Sequence, residues 1–424
     1  MLCGTYPIGQ SNGYSRVVYY IAKYLGQKMD IRLTIYGFQN YKQTAGSDQR
    51  NEIPPYVILH DALATENPTR SGFGEAEITT YLKANPQDMV IIFNDMVVTT
   101  ALVQNIVKGG MRDKIRLVSY MDQVYPYQKK QYIDMLNDHF DAVVTFTPYW
   151  RTTVRKLGLK NEIPCYVFPH GFDHQLYYPI PRKLARAQYN IPHDAFAILN
   201  LNRNQPRKRW DHTIIAFADV ISRYYQRCKE RPNEAHRPII LMVGTAIAGY
   251  WDLTELYQHE LKLRDVPWEF GSRCMVGLMN PQQLSDKDIN VLYNACDIGL
   301  NTCEGEGWGL CQSEHAAVGC PQVAPRIGGM QEFLNDDNSI PIHAKWRYYI
   351  DKQRDGIGGI AEIADTTEYA DAIWKYYNDT ALMERHGKES RRQILTHFRW
   401  ETVVNHFHRV LQDILASTKT PACL

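Results

Sequence analysis

The residues with the most evident chemical potential lie in Asn301 to Pro321, NTCEGEGWGLCQSEHAAVGCP, which follows an apolar run and is expected to open a helix near Trp308. Glycines at 305, 307 and 309 let backbone amides approach a ligand closely, and a helix N-terminus presents unsatisfied N–H groups at the positive end of its dipole. That combination suits a diphosphate. Glu306 and Glu314 are eight positions apart. On a continuous helix they would be separated by roughly 12 Å, the span between a sugar at one end of a diphosphate and a ribose at the other. A second segment, Asn202 to Asp211 (NRNQPRKRWD), places Arg203, Arg207, Lys208 and Arg209 in a loop between a strand and a helix. Cations at the C-terminal edge of a parallel sheet are placed to neutralise a departing diphosphate. Taken singly, the first segment is also an ordinary turn and the second an ordinary solvated basic run. Their occurrence in one domain favours the anion seat.

Those segments need a scaffold, and the chain alternates short apolar runs with amphipathic helices, which implies parallel sheets. In the first 180 residues the strand candidates are Ile31 to Tyr36, Met89 to Phe93, Ile115 to Tyr120, Ala142 to Phe146 and Tyr166 to Phe168, with a brief run at Leu2 to Cys3. That first run is short for a central strand, so either the strand is brief or residues precede Met1. The polar stretch Tyr41 to Glu52 reads as a loop. A new cycle begins after Pro179 and Pro181 with Phe196 to Leu201, then a helix with Ile214, Phe217, Ala218 and Ile221 on one face. Further strands are expected at Ile239 to Val243 and Asp297 to Asn301, and a last helix from Trp400 carries Val403, Phe407, Val410, Leu411 and Ile414 on one stripe. The expected domains are 1–180 and 181–399, with the terminal helix 400–417 packing back on the first.

Composition excludes several classes. At 424 residues the chain is long enough for two domains, and 44% apolar residues, 22% charged residues and a formal net charge of +1 describe an ordinary globular protein. Nothing points to a polyanionic partner, so no nucleic acid is expected. No run of 18 apolar residues and no signal-like start is visible, which predicts neither a membrane span nor secretion. The nine cysteines form no CxxC pair and no metal-ligand rhythm, which fits a reducing, cytoplasmic compartment. Asp286 and Asp288 make a DxD, but Ser285 ahead of them reads as a capping box, so no metal site is assigned.

With these residues in view, EGWGLCQSE resembles the E-x7-E motif of glycosyltransferase family 4, whose fold is GT-B: α/β, two Rossmann-like β/α/β domains facing across a cleft. In the same order along the chain, YPIGQSNGYSR resembles the family's first Gly-rich loop and FPHGFD the turn closing the first domain. NRNQPRKRWD resembles its diphosphate motif, IGGMQE its GGxxE loop, and FRWE the entry to the terminal helix. The wording of NRNQPRKRWD, YNACD and DGIGGI resembles a branch from large DNA viruses.

The resemblance implies a retaining, metal-independent glycosyltransferase without a cofactor. It would take a nucleoside-diphosphate sugar, GDP-mannose by the branch likeness or a UDP-sugar otherwise, to a glycan, glycoprotein or lipid acceptor. It implies that Arg203 and Lys208 bind the diphosphate, Glu306 holds the sugar and Glu314 the ribose. Amides of Gly307, Trp308, Gly309 and Leu310, with Gly328 and Gly329, would cradle phosphates and hydroxyls, and Gly13 would approach from the first domain. One departure is SYMDQ, where the family often has His after the fourth strand; Asp122 is the substitute catalytic candidate, with capping of the next helix as its plain alternative. His170 stands where the family has Asn and reads as a turn residue. Trp150 to Lys160 is basic and partly amphipathic, which leaves peripheral membrane contact open, although a solvated helix is the commoner meaning. The competing function is a sugar-nucleotide-binding protein without transfer activity.

Overall fold

The computed structural model describes residues 1–10, 12–41, 50, 52–279, 281, 284–351 and 357–417. The expected loop from Tyr41 to Glu52 therefore lies largely outside the described residues, as do the first two positions of DGIGGI. The chain divides into two compact units. The first comprises Met1–Gly171, Tyr349–Ile360 and the C-terminal segment from Phe398; the second comprises Phe172–Tyr348 and Ala361–His397.

In the first unit seven strands form one sheet: β1 (Leu2–Thr5), β2 (Thr34–Phe38), β3 (Ile58–Asp61), β4 (Met89–Asn94), β5 (Arg116–Met121), β6 (Ala142–Thr145) and β7 (Cys165–Val167). Their order is β3-β2-β1-β4-β5-β6-β7, and every pairing is parallel. β1 lies inside the sheet, between β2 and β4, and is wholly buried. β3 was not foreseen. It is one of the two edge strands, with Ile58 exposed and the rest half-buried, so it lacks the apolar run that marks a covered strand.

The terminal helix Trp400–Ala416 belongs to this unit and buries Val403, Phe407, Val410, Leu411 and Ile414. Trp400 stacks on Tyr20 with centroids 5.0 Å apart, and Phe407 stacks on Phe168 at 4.1 Å. The FPHGFD turn explains its glycine here: a Cβ on Gly171 would sit 2.5 Å from the Trp400 ring.

The second unit has six parallel strands: β8 (Phe196–Asn200), β9 (Ile239–Val243), β10 (Met275–Gly277), β11 (Ile298–Leu300), β12 (Gln322–Pro325) and β13 (Ser339–Ile342), ordered β10-β9-β8-β11-β12-β13. Counted from its own first strand this is 3-2-1-4-5-6, the order of the first unit without its seventh strand, and both are Rossmann-like. The helix Trp210–Glu230 buries Ile214, Phe217, Ala218 and Ile221 against this sheet, the face its periodicity predicts. β10, β12 and β13 escape the pattern because they are three or four residues long and carry Gln, Pro, Ser or Gly. Two further strands, β14 (Ala344–Ile350) and β15 (Gly359–Ala364), pair with each other, and along each the chain passes from one unit to the other. Among the described residues no helix is long and apolar enough to cross a membrane.

Candidate functional site

In an open parallel sheet a ligand crevice forms where strand order reverses, because the loops leaving the two flanking strands diverge. In the second unit that point lies between β8 and β11, and the two motif-bearing loops are those that follow these strands. They are laced together at their base. The Asn200 side-chain amide donates to Thr213 Oγ1 at 2.8 Å, Thr213 and Thr302 share a hydroxyl hydrogen bond of 2.6 Å, and the Trp210 indole N–H donates to the Arg203 carbonyl at 3.1 Å. Pro206–Lys208 makes a single 3-10 turn, and Arg209 then enters the left-handed region at φ 49°. A residue with a side chain holds that conformation only when its surroundings over-determine it.

This geometry brings the cations of one loop onto the acid of the other. The Lys208 ammonium donates to the Glu306 carboxylate; Arg207 Nη1 donates to the Gly305 carbonyl at 2.7 Å and lies 3.4 Å from Glu306 Oε2. The Lys208 and Glu306 side chains are 11% and 13% exposed, so the pair is shielded from water without being sealed off. Burial pushes the Glu306 carboxyl upward, but the Lys208 ammonium and Arg207 guanidinium outweigh it and hold it below the usual carboxylate range. It is a carboxylate throughout the neutral range.

The helix bearing Glu314 begins at Leu310, later than the expected start near Trp308, because Gly309 at φ 97° turns the chain first and no side chain caps the end. First-turn amides of such a helix have no intrahelical acceptor, and the dipole adds positive potential. Only part of the Glu306 to Glu314 interval is therefore helical, and the 12 Å rise does not apply to it. Glu314 is buried and accepts from the Tyr293 hydroxyl at 3.0 Å. Trp308 is buried as well, with its ring against Phe333 at 5.2 Å and its indole N–H donating to Ser313 Oγ at 3.2 Å.

The GGxxE loop contributes differently from expectation. The Gly329 amide donates to the Glu306 carbonyl at 3.0 Å, so that N–H is engaged by the protein. A Cβ at Gly329 would lie 1.9 Å from the Gly307 carbonyl oxygen, which makes this glycine the contact at which two loops touch. If these loops seat a nucleoside diphosphate, as the resemblance implies, Gly329→Ala should push the Gly305–Gly309 loop away and weaken that binding by about tenfold or more, read by titration. Unaltered affinity would show that the loop contact has no bearing on the seat. Gly328 precedes it at φ 51°. Arg203 stands apart: its side chain is exposed and, among the described residues, pairs with no acid.

In the first unit Gly13 is exposed at the first position of the helix Gly13–Leu25, whose cap Asn12 accepts from the Ser15 amide at 2.9 Å. The Tyr14 hydroxyl donates to the Asp122 carboxylate, and Asp122 N donates to the Asn94 carbonyl at 3.2 Å. Asp122 does not cap the helix that follows, which starts only at Lys130. His170 is buried among Phe93, Tyr120, Phe146 and Trp400, and burial pushes its imidazole down to about 3, so it is neutral and packs as an aromatic. Asp288 completes the capping box with Ser285, and Asp286 accepts from the Tyr177 hydroxyl at 3.5 Å. Sequence reasoning passed over Tyr14, Glu304 and Tyr348, since nothing in a residue's type reveals that its partner lies a hundred or forty positions away.

No protein-family model matches the chain. Among curated proteins it is 27% identical over 176 residues to a D-inositol 3-phosphate glycosyltransferase of Saccharomonospora viridis, covering 41% of this chain and 37% of that one. It is also 27% identical over 132 residues to the N-acetyl-alpha-D-glucosaminyl L-malate synthase of Bacillus anthracis, covering 31% and 30%. The chain thus spans little more than a third of the length of the first relatives it matches. Among solved structures it is similar to the sucrose-phosphate synthase of Thermosynechococcus elongatus, with TM-score 0.71 at 16% identity over 98% of this chain and 99% of that one. It is likewise similar to Anabaena HepE in complex with UDP and glucose, with TM-score 0.67 at 16% identity over 96% and 97%. Likeness along nearly the whole length, at identities this low, speaks to architecture: the chain has the GT-B fold, with two Rossmann-like α/β domains.

Proposed function

We propose that the protein is a glycosyltransferase that moves a hexose from a nucleoside-diphosphate sugar to a glycan or lipid acceptor with retention of configuration. The observation that carries this reading is the convergence of Lys208 and Arg207 on Glu306 at the sheet's switch point, beside an uncapped helix start. A sugar's anomeric carbon is one oxygen from the β-phosphorus, so a cation for the phosphate and a carboxylate for the sugar hydroxyls must be neighbours. In this reading Lys208 neutralises the leaving diphosphate, with Arg203 reaching its outer oxygens, and Glu306 holds the sugar. Glu314 faces the ribose after a change of partner from Tyr293. Amides of Gly307, Trp308, Gly309, Leu310 and Gly328 line the phosphates, and Gly13 and Asp122 serve from the first domain.

The acceptor oxygen forms its bond to the anomeric carbon as the carbon–phosphate oxygen bond breaks on the same face. The departing diphosphate keeps the electron pair and takes the acceptor's proton, which retains configuration. Fixed cations and amide dipoles supply the charge stabilisation without a metal. HepE was solved with UDP and with UDP-glucose, so a UDP-sugar is the first donor to try; GDP-mannose, which rests on the likeness to the viral branch, comes second. Contact with a membrane surface would fall to the helix Pro148–Lys156. There Arg151 and Lys156 are exposed, whereas Arg155 is turned onto the Leu159 and Ile163 carbonyls.

The test is a melting-temperature comparison with UDP, GDP and ADP, followed by turnover of the matching sugar nucleotide with and without chelator. A ligand that binds only the folded state stabilises it by about 2.7 kcal/mol at a hundred times its Kd. One nucleotide should raise the melting temperature clearly, and turnover should survive chelation. If none shifts it at millimolar concentration, the reading fails; binding without turnover would leave a sugar-nucleotide-binding protein.

A further inference from the structure

Besides the Lys208–Glu306 pair, a second ion pair joins the same two loops. Arg209 follows Lys208 in sequence and Glu304 precedes Glu306 by two; Arg209 Nη1 lies 3.4 Å from Glu304 Oε2. The Glu304 side chain is fully buried. Its amide donates to the Arg207 carbonyl at 3.1 Å, and Thr302 Oγ1 donates to the Arg209 carbonyl at 2.9 Å. Arg209 is itself braced by Asp211, with Nε to Oδ1 at 2.9 Å and Nη2 to Oδ2 at 2.7 Å.

Glu304 is also gripped by both strands on which the chain crosses between units. The Tyr348 hydroxyl, on β14, donates to Glu304 Oε2 at 2.6 Å, and the Glu362 amide, on β15, donates to the Glu304 carbonyl at 3.1 Å. Tyr348 is the last residue of the second unit before the chain leaves it, and Glu362 is the second after it returns. The Arg209 guanidinium and the Tyr348 hydroxyl both meet the carboxylate at Oε2, and with the bonds at the amide and carbonyl of residue 304 they over-determine where it sits.

We propose that Glu304 is a positioning residue, whose buried pairing with Arg209 and Tyr348 sets the register of the two loops and so the placement of Lys208 against Glu306. This rests on the glycosyltransferase reading for its consequence in turnover, though not for its geometry. Nothing in the resemblance assigns Glu304 or Tyr348 a part. The hydroxyl of Tyr348 is the removable element: Tyr348→Phe keeps the ring and takes away one hydrogen bond to a buried charge.

Two readouts test it on the full chain. In turnover of the sugar nucleotide, Tyr348→Phe should lower kcat about tenfold with KM within about twofold, and Glu304→Gln should lower it further. The double variant should be no worse than Glu304→Gln alone, since both remove the same support. In parallel, labelling by an amine reagent followed by mass spectrometry should modify Lys208 about fivefold faster in either variant, while the exposed Lys83 of the first unit keeps its rate. Unchanged Lys208 labelling and wild-type kcat overturn the proposal, as do losses that simply multiply. If the wild type turns over no sugar nucleotide, the functional reading fails on its own, and the labelling still decides the positioning role. A fold effect alone would lower the melting temperature and leave kcat per folded molecule in place.

Discussion

Lys208→Ala should lower turnover several hundredfold. Removing one preorganised charge from a site where negative charge develops typically costs ~3 to 4 kcal/mol of transition-state stabilisation, at about 1.4 kcal/mol per factor of ten. Lys208 is the cation on which that expectation falls most heavily. Its side chain is 11% exposed and its ammonium is already against Glu306, so little water is at hand to compensate for its loss. Arg203→Ala, whose guanidinium is exposed, should cost no more than about tenfold, because solvent screens such charges. Steady-state kinetics on the three proteins checks the order, and full activity in Lys208→Ala would remove the basis for the proposed chemistry.

The same variant has a signature in stability. In the wild type the Glu306 carboxyl sits below the usual carboxylate range when folded, so its contribution is fully present above the unfolded value and is lost as pH falls through the folded one. Without Lys208, burial is opposed only by Arg207 at 3.4 Å, and that contribution shrinks. The variant should therefore be destabilised at neutral pH and converge on the wild type in acid. Urea unfolding at pH 7 and at successively lower pH, below the ordinary carboxylate range, reads the difference.

Asp297→Ala should destabilise the second unit by ~3 to 5 kcal/mol, the usual consequence of removing one partner from a buried ion cluster. Asp297, just before β11, is fully buried and takes Arg186 at 2.6 Å, Arg182 at 2.8 Å, Arg237 at 3.2 Å and the Ala197 amide at 2.8 Å. Arg186 is as buried as its partner, so the alanine would leave a guanidinium in the interior without a counter-charge. Asp297→Asn keeps an acceptor for the Ala197 amide and should lose about half as much. Because this cluster lies at the N-terminal edge of the sheet and the candidate site at the C-terminal edge, kcat per folded molecule should stay within about twofold at low temperature. Denaturation of the three proteins settles the stability order; equal midpoints would mean that the three arginines find other partners.

Much of the scaffold was legible because its signals are local. The runs at Met89, Arg116, Ala142, Phe196 and Ile239 are covered strands whose apolar continuity is a property of neighbouring residues. The stripe through Ile214, Phe217 and Ile221 repeats at the helical period within one element. β3 and β12 were not legible, since an edge strand and a four-residue strand beside prolines carry no such continuity. The helix start was placed too early because a glycine's hand, φ 97° at Gly309, is not written in its type.

For the candidate site, residue types and their spacing supplied the chemical stock: a cation-rich loop and a glycine-rich loop, each following a strand, with carboxylates among them. The fold selects which of these meet. It joined Lys208 to Glu306 across nearly a hundred residues, left Arg203 in solvent, committed the Gly329 amide to a protein carbonyl and turned Glu314 toward Tyr293. It also buried Glu304 between Arg209 and Tyr348. The reason is physical: residue types and short spacings govern local conformation, whereas the pairing of charges depends on which loops the strand order makes neighbours and on how much water is excluded between them.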